Sequence, residues 1–185
     1  MAQEKKKEIR DKAAALFQKN GYEKVTVNDI AAASGISRNT FYYYYDSKES
    51  IIVALFQPCP SVIERLMLEI LQKDTAYEQL ALICREGSSY FSRLGKEIVR
   101  TALSMNLSGE FLPHKDGKKP IYELIKKLYE KAIEDGSIRN DVNVQQLMDC
   151  TCIAFMGCLQ IWATSQHDFD LTDAFMETFD IIVKK

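Results

Sequence analysis

The chain has 185 residues and a mass of 21.2 kDa, of which 46% are hydrophobic and 27% charged, a composition typical of soluble proteins that bury a core. It contains no run of 18 or more apolar residues, and its first residues, MAQEKKKEIRDK, lack the apolar segment of a secretion signal, so we expect a cytoplasmic protein without a membrane span. The net charge of −2 argues against a nucleic-acid partner, but it is unevenly distributed: residues 1–56 carry 9 Lys and Arg against 7 Asp and Glu, and the rest 15 against 19. A mildly basic first segment is compatible with phosphate contact.

Helical periodicity covers most of the sequence and strand signals are nearly absent, which predicts an all-α fold. The first helix has an apolar stripe from Ile9 to Phe17 and ends before Gly21, where glycine can adopt the left-handed conformation. The next three helices are predicted to begin at hydroxyl caps, namely Thr26, Ser37 and Ser47.

A domain boundary is predicted after Phe56, because the segment QPCP that follows contains two prolines that interrupt a helix. The two predicted domains are residues 1–56 and 57–185. Beyond the boundary, helices are predicted near residues 61–73, 75–93, 96–107, 119–135, 143–165 and 170–184.

Residues 26–45, TVNDIAAASGISRNTFYYYY, meet the physical requirements of a helix-turn-helix. Alanines at 31–33 allow two short helices to cross closely, and Gly35 permits the tight turn. The predicted core of the motif consists of Ile30, Ile36, Phe41 and Tyr45. With these side chains turned inward, the opposite face of the second helix carries Arg38, Asn39, Tyr42 and Tyr43.

A helix with this face can present its first residues to base edges in the major groove of DNA. Arg38 suits guanine and Asn39 suits adenine, because each can form two hydrogen bonds with its base. Phosphate contacts are predicted from the hydroxyls of Thr26, Tyr42 and Tyr44 and from the ammonium of Lys48. The predicted partner is double-stranded DNA.

The segment GYEKVTVNDIAAASGISRNTFYYYYDSKESI resembles the DNA-binding region of the TetR family of bacterial repressors, and the resemblance extends over roughly residues 8–56. The shared order is an amphipathic helix ending in Asn-Gly, a Thr-capped helix, a Ser-capped recognition helix, and then Tyr and Ser-Lys-Glu. The resemblance implies backbone contacts at Thr26, Tyr42 and Lys48. It implies that sequence preference is set at Arg38, Asn39 and Tyr43.

The sequence departs from the family pattern at four positions. Phe41, Tyr44 and Tyr45 stand where leucine, histidine and phenylalanine are usual, and these changes keep the apolar or aromatic character. Asn39 stands where a small residue is frequent, so no operator sequence can be carried over from relatives.

The resemblance also implies a three-helix DNA-binding domain followed by a helical domain that binds an inducer and dimerises through its last two long helices, with about nine helices in all. Residues 147–163, LMDCTCIAFMGCLQIWA, are apolar almost all round a helix, which indicates burial on several sides. The residues predicted at the dimer interface are Gly157, Leu171, Phe175, Phe179 and Ile182.

The predicted effector is an apolar or aromatic small molecule, because few charged residues interrupt these helices. The side chains predicted to line its pocket are Phe56, Tyr90, Phe91, Met105, Met148, Phe155 and Trp162. For each of them, ordinary core packing is the alternative.

Five cysteines occur without a CxxC pair or a histidine cluster, so we expect no metal, cofactor or disulfide framework. Free cysteine in an apolar helix behaves as a small hydrophobe. Oxidant sensing by Cys59 is left open.

The predicted function is that of a sequence-specific transcriptional regulator, a ligand-responsive repressor that binds a palindromic operator as a homodimer. A helical interaction protein of the same fold without operator binding is one alternative. An all-α enzyme is the least supported, because neither histidine lies in a motif with a cysteine nucleophile. The effector, the operator and the choice between repression and activation stay open.

Overall fold

The computed structural model describes residues 2–56, 60–105 and 120–184, and for residues 60–62 and 120 it describes the backbone alone. Over these ranges the chain forms helices and connecting turns, without a strand. The helices are α1 (Ala2–Asn20), α2 (Val27–Ala33), α3 (Arg38–Tyr44), α4 (Lys48–Leu55), α5 (Pro60–Ile70), α6 (Ala76–Leu94), α7 (Lys96–Ser104), α8 (Pro120–Glu134), α9 (Val144–Thr164) and α10 (Leu171–Val183). The all-α prediction is confirmed. The described ranges hold ten helices, which equals the number of helical segments predicted one by one and is close to the total of about nine.

The chain divides into two compact units. The N-terminal unit comprises Met1–Pro58 and Leu94–Leu107, and the C-terminal unit comprises Cys59–Arg93 and Ser108–Lys185. Helix α7 therefore groups with the first four helices, where it packs on α1 and α4. The sequence predicted a single division after residue 56 and did not predict that a later helix groups with the first unit. The division stays a prediction.

Side-chain caps begin the three short helices of the N-terminal unit, as predicted. The Thr26 hydroxyl accepts a hydrogen bond from the Asp29 amide, and the Asp29 carboxylate accepts one from the Thr26 amide. The Ser37 hydroxyl accepts from the Thr40 amide, and Ser47 begins α4 in the same way. Helices of seven or eight residues are marginal in isolation, so these caps and the buried side chains beneath them determine where each helix starts.

The core of the N-terminal unit is apolar and aromatic. Its fully buried side chains include Ile9, Ala13, Phe17, Ile30, Phe41, Ile51 and Ile52. Two turns connect the helices around this core at glycines with left-handed backbone, Gly21 with φ 83° and Gly35 with φ 63°. Glycine adopts this conformation without a steric penalty, which explains why α1 and α2 end where the sequence predicted.

The C-terminal unit packs α6, α8, α9 and α10 around a second core. Its buried members include Leu80, Tyr129, Leu147, Phe179 and Val183. Helices α9 and α10 begin at Asn143 and Asp170, whose side chains accept from amides three residues on. The predicted Asp170 cap is confirmed.

Helix α9 is the one helix in the described ranges that is long and apolar enough to cross a membrane by length and composition alone. In the fold it packs along α10 and α8 and buries Leu147, Met148, Leu159 and Trp162. The helix is therefore built into the core of its unit, although only 28% of its most apolar window is buried within the protomer.

Candidate nucleic-acid interface and effector cavity

Helix α3 separates an inner face from an outer face. Phe41 is fully buried, and Tyr45 directly after the helix is 5% exposed. The outer side chains Arg38, Asn39, Tyr42 and Tyr43 are all exposed, with Tyr43 at 78%. The four side chains predicted to face DNA therefore share one solvent-facing surface, which we call the reading face.

Arg38 and Tyr42 contact each other within the reading face. The guanidinium carbon of Arg38 lies 5.7 Å from the centroid of the Tyr42 ring, and an Nη atom lies 3.4 Å from the Tyr42 hydroxyl. A cation over an aromatic ring is attracted to it, and at an exposed site the attraction is modest. This contact restricts the Arg38 side chain without burying its donors.

The predicted phosphate ligands lie beside the reading face in different local environments. The Thr26 hydroxyl donates to the Asp29 carboxylate at 2.7 Å in addition to capping α2. The half-buried Tyr44 packs edge-on against Tyr43, with ring centroids 5.0 Å apart. The exposed Tyr42 offers its hydroxyl directly to solvent.

Lys48 links α4 to the turn between α1 and α2 through hydrogen bonds. Its ammonium donates to the carbonyl oxygens of Tyr22 and Val25 at 2.8 and 3.0 Å, and it lies 3.9 Å from the centroid of the Tyr22 ring. An ammonium has three protons, and these two bonds use two of them. Lys48 therefore has a structural role that the sequence did not reveal.

Tyr22 completes this connection on the other side. Its hydroxyl donates to Glu49 at 2.9 Å, and burial together with that carboxylate raises the pKa of Tyr22. The pKa of Glu49 is lowered, first by its own backbone amide and then by hydrogen bonds from Ser47 and Tyr22. Sequence reasoning expected Tyr22 only to pack on the last turn of α1, because the spacing to Lys48 and Glu49 carries no recognisable motif.

The C-terminal unit contains a partly open cavity of about 250 Å³ between α6, α8, α9 and α10. Its lining residues are Leu80, Ile83, Cys84, Gly87, Ser88, Phe91, Tyr122, Ile125, Tyr129, Met148, Thr151, Cys152, Phe155 and Phe175. Aromatic rings form one wall, where Phe155 lies 5.5 Å from Phe91 and 5.0 Å from Phe175 between centroids.

Three of the seven side chains predicted to line a pocket do so, namely Phe91, Met148 and Phe155. Tyr90 packs against Phe91 beside the cavity, and Trp162 is buried elsewhere in the unit. Phe56 and Met105 belong to the N-terminal unit. The predicted set thus divides between the two units, because size and apolarity alone do not distinguish a pocket wall from ordinary core.

The polar groups of the cavity were missed by sequence reasoning. The hydroxyl oxygens of Tyr129 and Thr151 lie 2.8 Å apart, and both residues are buried. Burial raises the pKa of the Cys84 thiol to about 12 and that of Cys152 to about 11. A tyrosine, a threonine and two cysteines scattered over three helices form no spacing pattern that would have identified them.

The side chains predicted at the dimer interface lie mostly inside the protomer. Leu171 and Phe179 are fully buried, and Phe175 is 3% exposed and lines the cavity. Ile182 is half-buried, and Gly157 is exposed. The apolar stripe of α10 thus packs against its own chain, and an interface at these helices requires other side chains.

Helices α9 and α10 each carry exposed isoleucines. Ile153 and Ile161 of α9 are 68% and 61% exposed, and Ile181 of α10 is 78% exposed. Gly157 lies between the first two, on the same side of the helix, and a Cβ built there meets nothing within 4 Å. We call the α9 surface formed by Ile153, Gly157 and Ile161 the outer apolar face.

The four described cysteines are free, and Cys150 is exposed on α9. Cys59, for which oxidant sensing was left open, lies outside the described residues. No group of three or more His, Cys, Asp or Glu in the described ranges is placed to hold a metal ion.

Comparison with known proteins places the N-terminal unit in a family. Residues 9–55 match the model of bacterial regulatory proteins of the tetR family. The chain is 26% identical over 182 residues to the fatty acid metabolism regulator protein of Bacillus subtilis, covering 95% of this chain and 92% of that protein. It is 30% identical over 154 residues to the transcriptional repressor KstR2 of Rhodococcus jostii, covering 75% of this chain and 70% of that repressor.

The fold is shared over nearly the whole chain with FadR of Thermus thermophilus, a TetR-family repressor solved in complex with lauroyl-CoA. The TM-score is 0.65 at 20% identity, covering 96% of this chain and 92% of that structure. The predicted resemblance over roughly residues 8–56 is confirmed by the family match at residues 9–55. The chain belongs to the TetR family of bacterial regulatory proteins, and it is a DNA-binding transcriptional regulator.

Proposed function

We propose that the protein is a ligand-responsive repressor that acts in the cytoplasm as a homodimer on a palindromic operator. The observation that carries the proposal is the reading face of α3, which presents an arginine and an asparagine in the first turn of a capped helix. Those residue types, at that end of the second helix of a helix-turn-helix, suit direct contact with base edges.

In the proposed complex, Arg38 reads guanine, Asn39 reads adenine, and Tyr43 contributes to the sequence preference. Tyr42 and Tyr44 donate their hydroxyls to phosphates, and Lys48 donates its third proton while its other two hold the turn. Thr26 acts chiefly through the position of α2, because its hydroxyl proton is already directed to Asp29.

The proposed dimer forms through the outer apolar face. Exposed isoleucines in a row on a long helix lose contact with water when a second copy covers them, and Gly157 allows the two helices to approach closely. Two copies of α9 and α10 would make a four-helix interface, as the resemblance implies. A two-fold axis there relates two reading faces, and a palindrome is the matching DNA.

The proposed effector site is the cavity of the C-terminal unit. At about 250 Å³ it is slightly smaller than the roughly 300–1,000 Å³ of typical small-molecule sites, and its wall is apolar and aromatic. The Thermus thermophilus repressor of similar fold is bound to lauroyl-CoA, which supports an effector with an apolar chain. An effector lowers operator affinity when it binds more tightly to a conformation whose reading faces do not match the operator.

Selection of bound fragments from genomic DNA by the purified protein, at two salt concentrations, tests the proposal. We expect a palindrome to be enriched, with affinity that falls as salt rises because phosphates are neutralised on binding. Arg38→Ala is expected to weaken specific binding by roughly fivefold to more than a hundredfold per half-site, from the ~1–3 kcal/mol of a bidentate base contact. Arg65→Ala, an arginine of α5 that is also exposed, serves as the matched control.

Enrichment of the same palindrome by wild type and Arg38→Ala with equal preference would contradict the assignment of the reading face. Failure of a folded dimer to enrich any sequence would favour the interaction protein without operator binding.

A further inference from the structure

The cavity wall is mostly apolar and carries a few neutral polar side chains. Among the described lining residues none carries a charge, and the sulfur and hydroxyl groups are the only polar side-chain atoms. The Ser88 hydroxyl donates to backbone carbonyls of its own helix, at 2.9 and 3.0 Å, and the Tyr122 hydroxyl donates to the Gln145 side chain at 3.0 Å, so both protons are already used. The remaining hydroxyls deep in the wall are those of Tyr129 and Thr151.

These two hydroxyls have one proton more than the bond between them requires. Tyr129 is 2% exposed and Thr151 is 9% exposed, so both hydroxyls lie in the buried part of the wall. Each hydroxyl carries one proton, and their 2.8 Å contact uses one of the two. No acceptor for the second proton is found within the described residues, and a buried donor without an acceptor costs roughly as much as a lost hydrogen bond.

The same wall disfavours charge. Burial raises the pKa of the thiols of Cys84 and Cys152 to about 12 and about 11, and it raises the pKa of the Tyr129 phenol as well. These groups therefore stay neutral near pH 7. A carboxylate in the cavity would lose its hydration without gaining a cation from the described wall, which is strongly unfavourable.

We propose that the Tyr129–Thr151 hydroxyl pair determines which effectors enter the cavity, by donating its spare proton to a neutral carbonyl oxygen on an otherwise apolar molecule. The class that fits is a neutral acyl compound, such as an ester, thioester, amide or ketone, and the free carboxylate is rejected. This inference rests on the proposed ligand-responsive function and specifies its effector chemistry.

The size of the cavity selects the probes. A cavity of about 150 Å³ lined by apolar side chains holds benzene, so 250 Å³ suits a ring with a short chain. Propiophenone and propylbenzene differ only by a carbonyl in place of a methylene, and 3-phenylpropanoate adds a charge. Dissociation constants of the three for the full-length protein at pH 8 are measured by NMR titration of its methyl groups.

We expect propiophenone to bind about fivefold more tightly than propylbenzene, from the ~1 kcal/mol of one net hydrogen bond. We expect no saturable binding of 3-phenylpropanoate. In the double variant Tyr129→Phe with Thr151→Val, the ratio of the two neutral probes should fall to about one while propylbenzene binding is kept, because shape is conserved and both hydroxyls are absent. Either single variant leaves one donor and should keep the preference.

Tyr77→Phe is the matched control, since the Tyr77 hydroxyl bonds Asp180 and does not line the cavity. Its ratio should equal that of the wild type. An unchanged ratio in the double variant, tighter binding of the carboxylate than of the ketone, or no saturable binding of either neutral probe would overturn the inference. The titrations contain no DNA, so failure of the proposed regulatory function is recognised separately, as operator affinity that propiophenone leaves unaltered.

Discussion

The two units differ in which side of a helix carries the functional side chains: the outer side in the N-terminal unit and the inner side in the C-terminal unit. Helix α3 buries Phe41 and turns its arginine, asparagine and tyrosines outward, whereas α9 turns Met148, Thr151 and Phe155 inward to a cavity. One buried aromatic side chain and an N-cap fix the position of a short helix. Its outer surface is then available to contact DNA. A long helix with two apolar sides can line a small-molecule cavity with its inner side. Its outer side is then available to pack against a second copy of the chain.

This difference makes separate disruptions possible. Substitutions on the outer surface of α3 should alter recognition without altering the fold, and those on the outer surface of α9 should alter assembly. Substitutions beneath either helix should alter stability. The structure implies that effects on recognition, assembly and stability separate.

Charge on the outer apolar face is expected to have the largest effect. Replacing both Ile153 and Ile161 by glutamate would bury four carboxylates in the proposed dimer, and desolvation costs several kcal/mol per unpaired ion. Light scattering should then report a mass near 21.2 kDa, half that of the wild type. The matched control replaces Leu68 and Leu71, which are 64% and 78% exposed, by glutamate and should remain dimeric. If only the control variant dissociates, the dimer interface must instead lie in the region of α5.

Phe41→Ala tests the inner side of α3. Its fully buried ring lies between Tyr42 and Tyr45, and removal of a buried phenylalanine costs about 3–5 kcal/mol. We expect the free energy of unfolding of the N-terminal unit, measured by urea denaturation, to fall by that amount. Tyr43→Ala, on the exposed side of the same helix, should change it by less than about 0.5 kcal/mol while weakening operator preference. Similar losses in both variants would mean that α3 has no separate inner and outer face.

Thr26→Ala tests a cap instead of a packed ring. Loss of an N-cap hydroxyl costs about 1 kcal/mol of stability, because the Asp29 amide loses its acceptor. Urea denaturation should resolve this decrease. Thr164→Ala is the control, since that exposed hydroxyl donates to the Gln160 carbonyl at the end of a helix and caps no amide. A decrease of equal size in the control would remove the special role assigned to the cap.

The sequence predicted the helix-turn-helix in detail and the C-terminal unit only in outline, for a physical reason. Caps such as Thr26 and Ser37 act on amides within three residues, so they can be recognised in a linear sequence. The turn at Gly35 can be recognised for the same reason. Burial depends on neighbours far along the chain, which is why Phe175 and Phe179 were predicted to face a partner although they are buried in their own protomer. The pair of Tyr129 and Thr151 is 22 residues apart along the chain, and nothing local marks it.

The smallest expected effect concerns the Asp29 carboxylate. Hydrogen bonds from the Thr26 hydroxyl, and secondly from the Thr26 amide, lower the pKa of Asp29 below its usual value. A carboxylate with a lowered pKa stabilises the fold at pH values above the ordinary pKa of aspartate, about 3.9, and this contribution is lost as the pH falls through the lowered value. NMR titration of the Asp29 carboxyl carbon should show the lowered pKa in the wild type and in Thr164→Ala. In Thr26→Ala the pKa should rise only part of the way back, because the amide of residue 26 remains a donor. A pKa that does not move in Thr26→Ala would show that the hydroxyl bond to Asp29 does not persist in solution, and the start of α2 would then depend on the buried Ile30 more than on its cap.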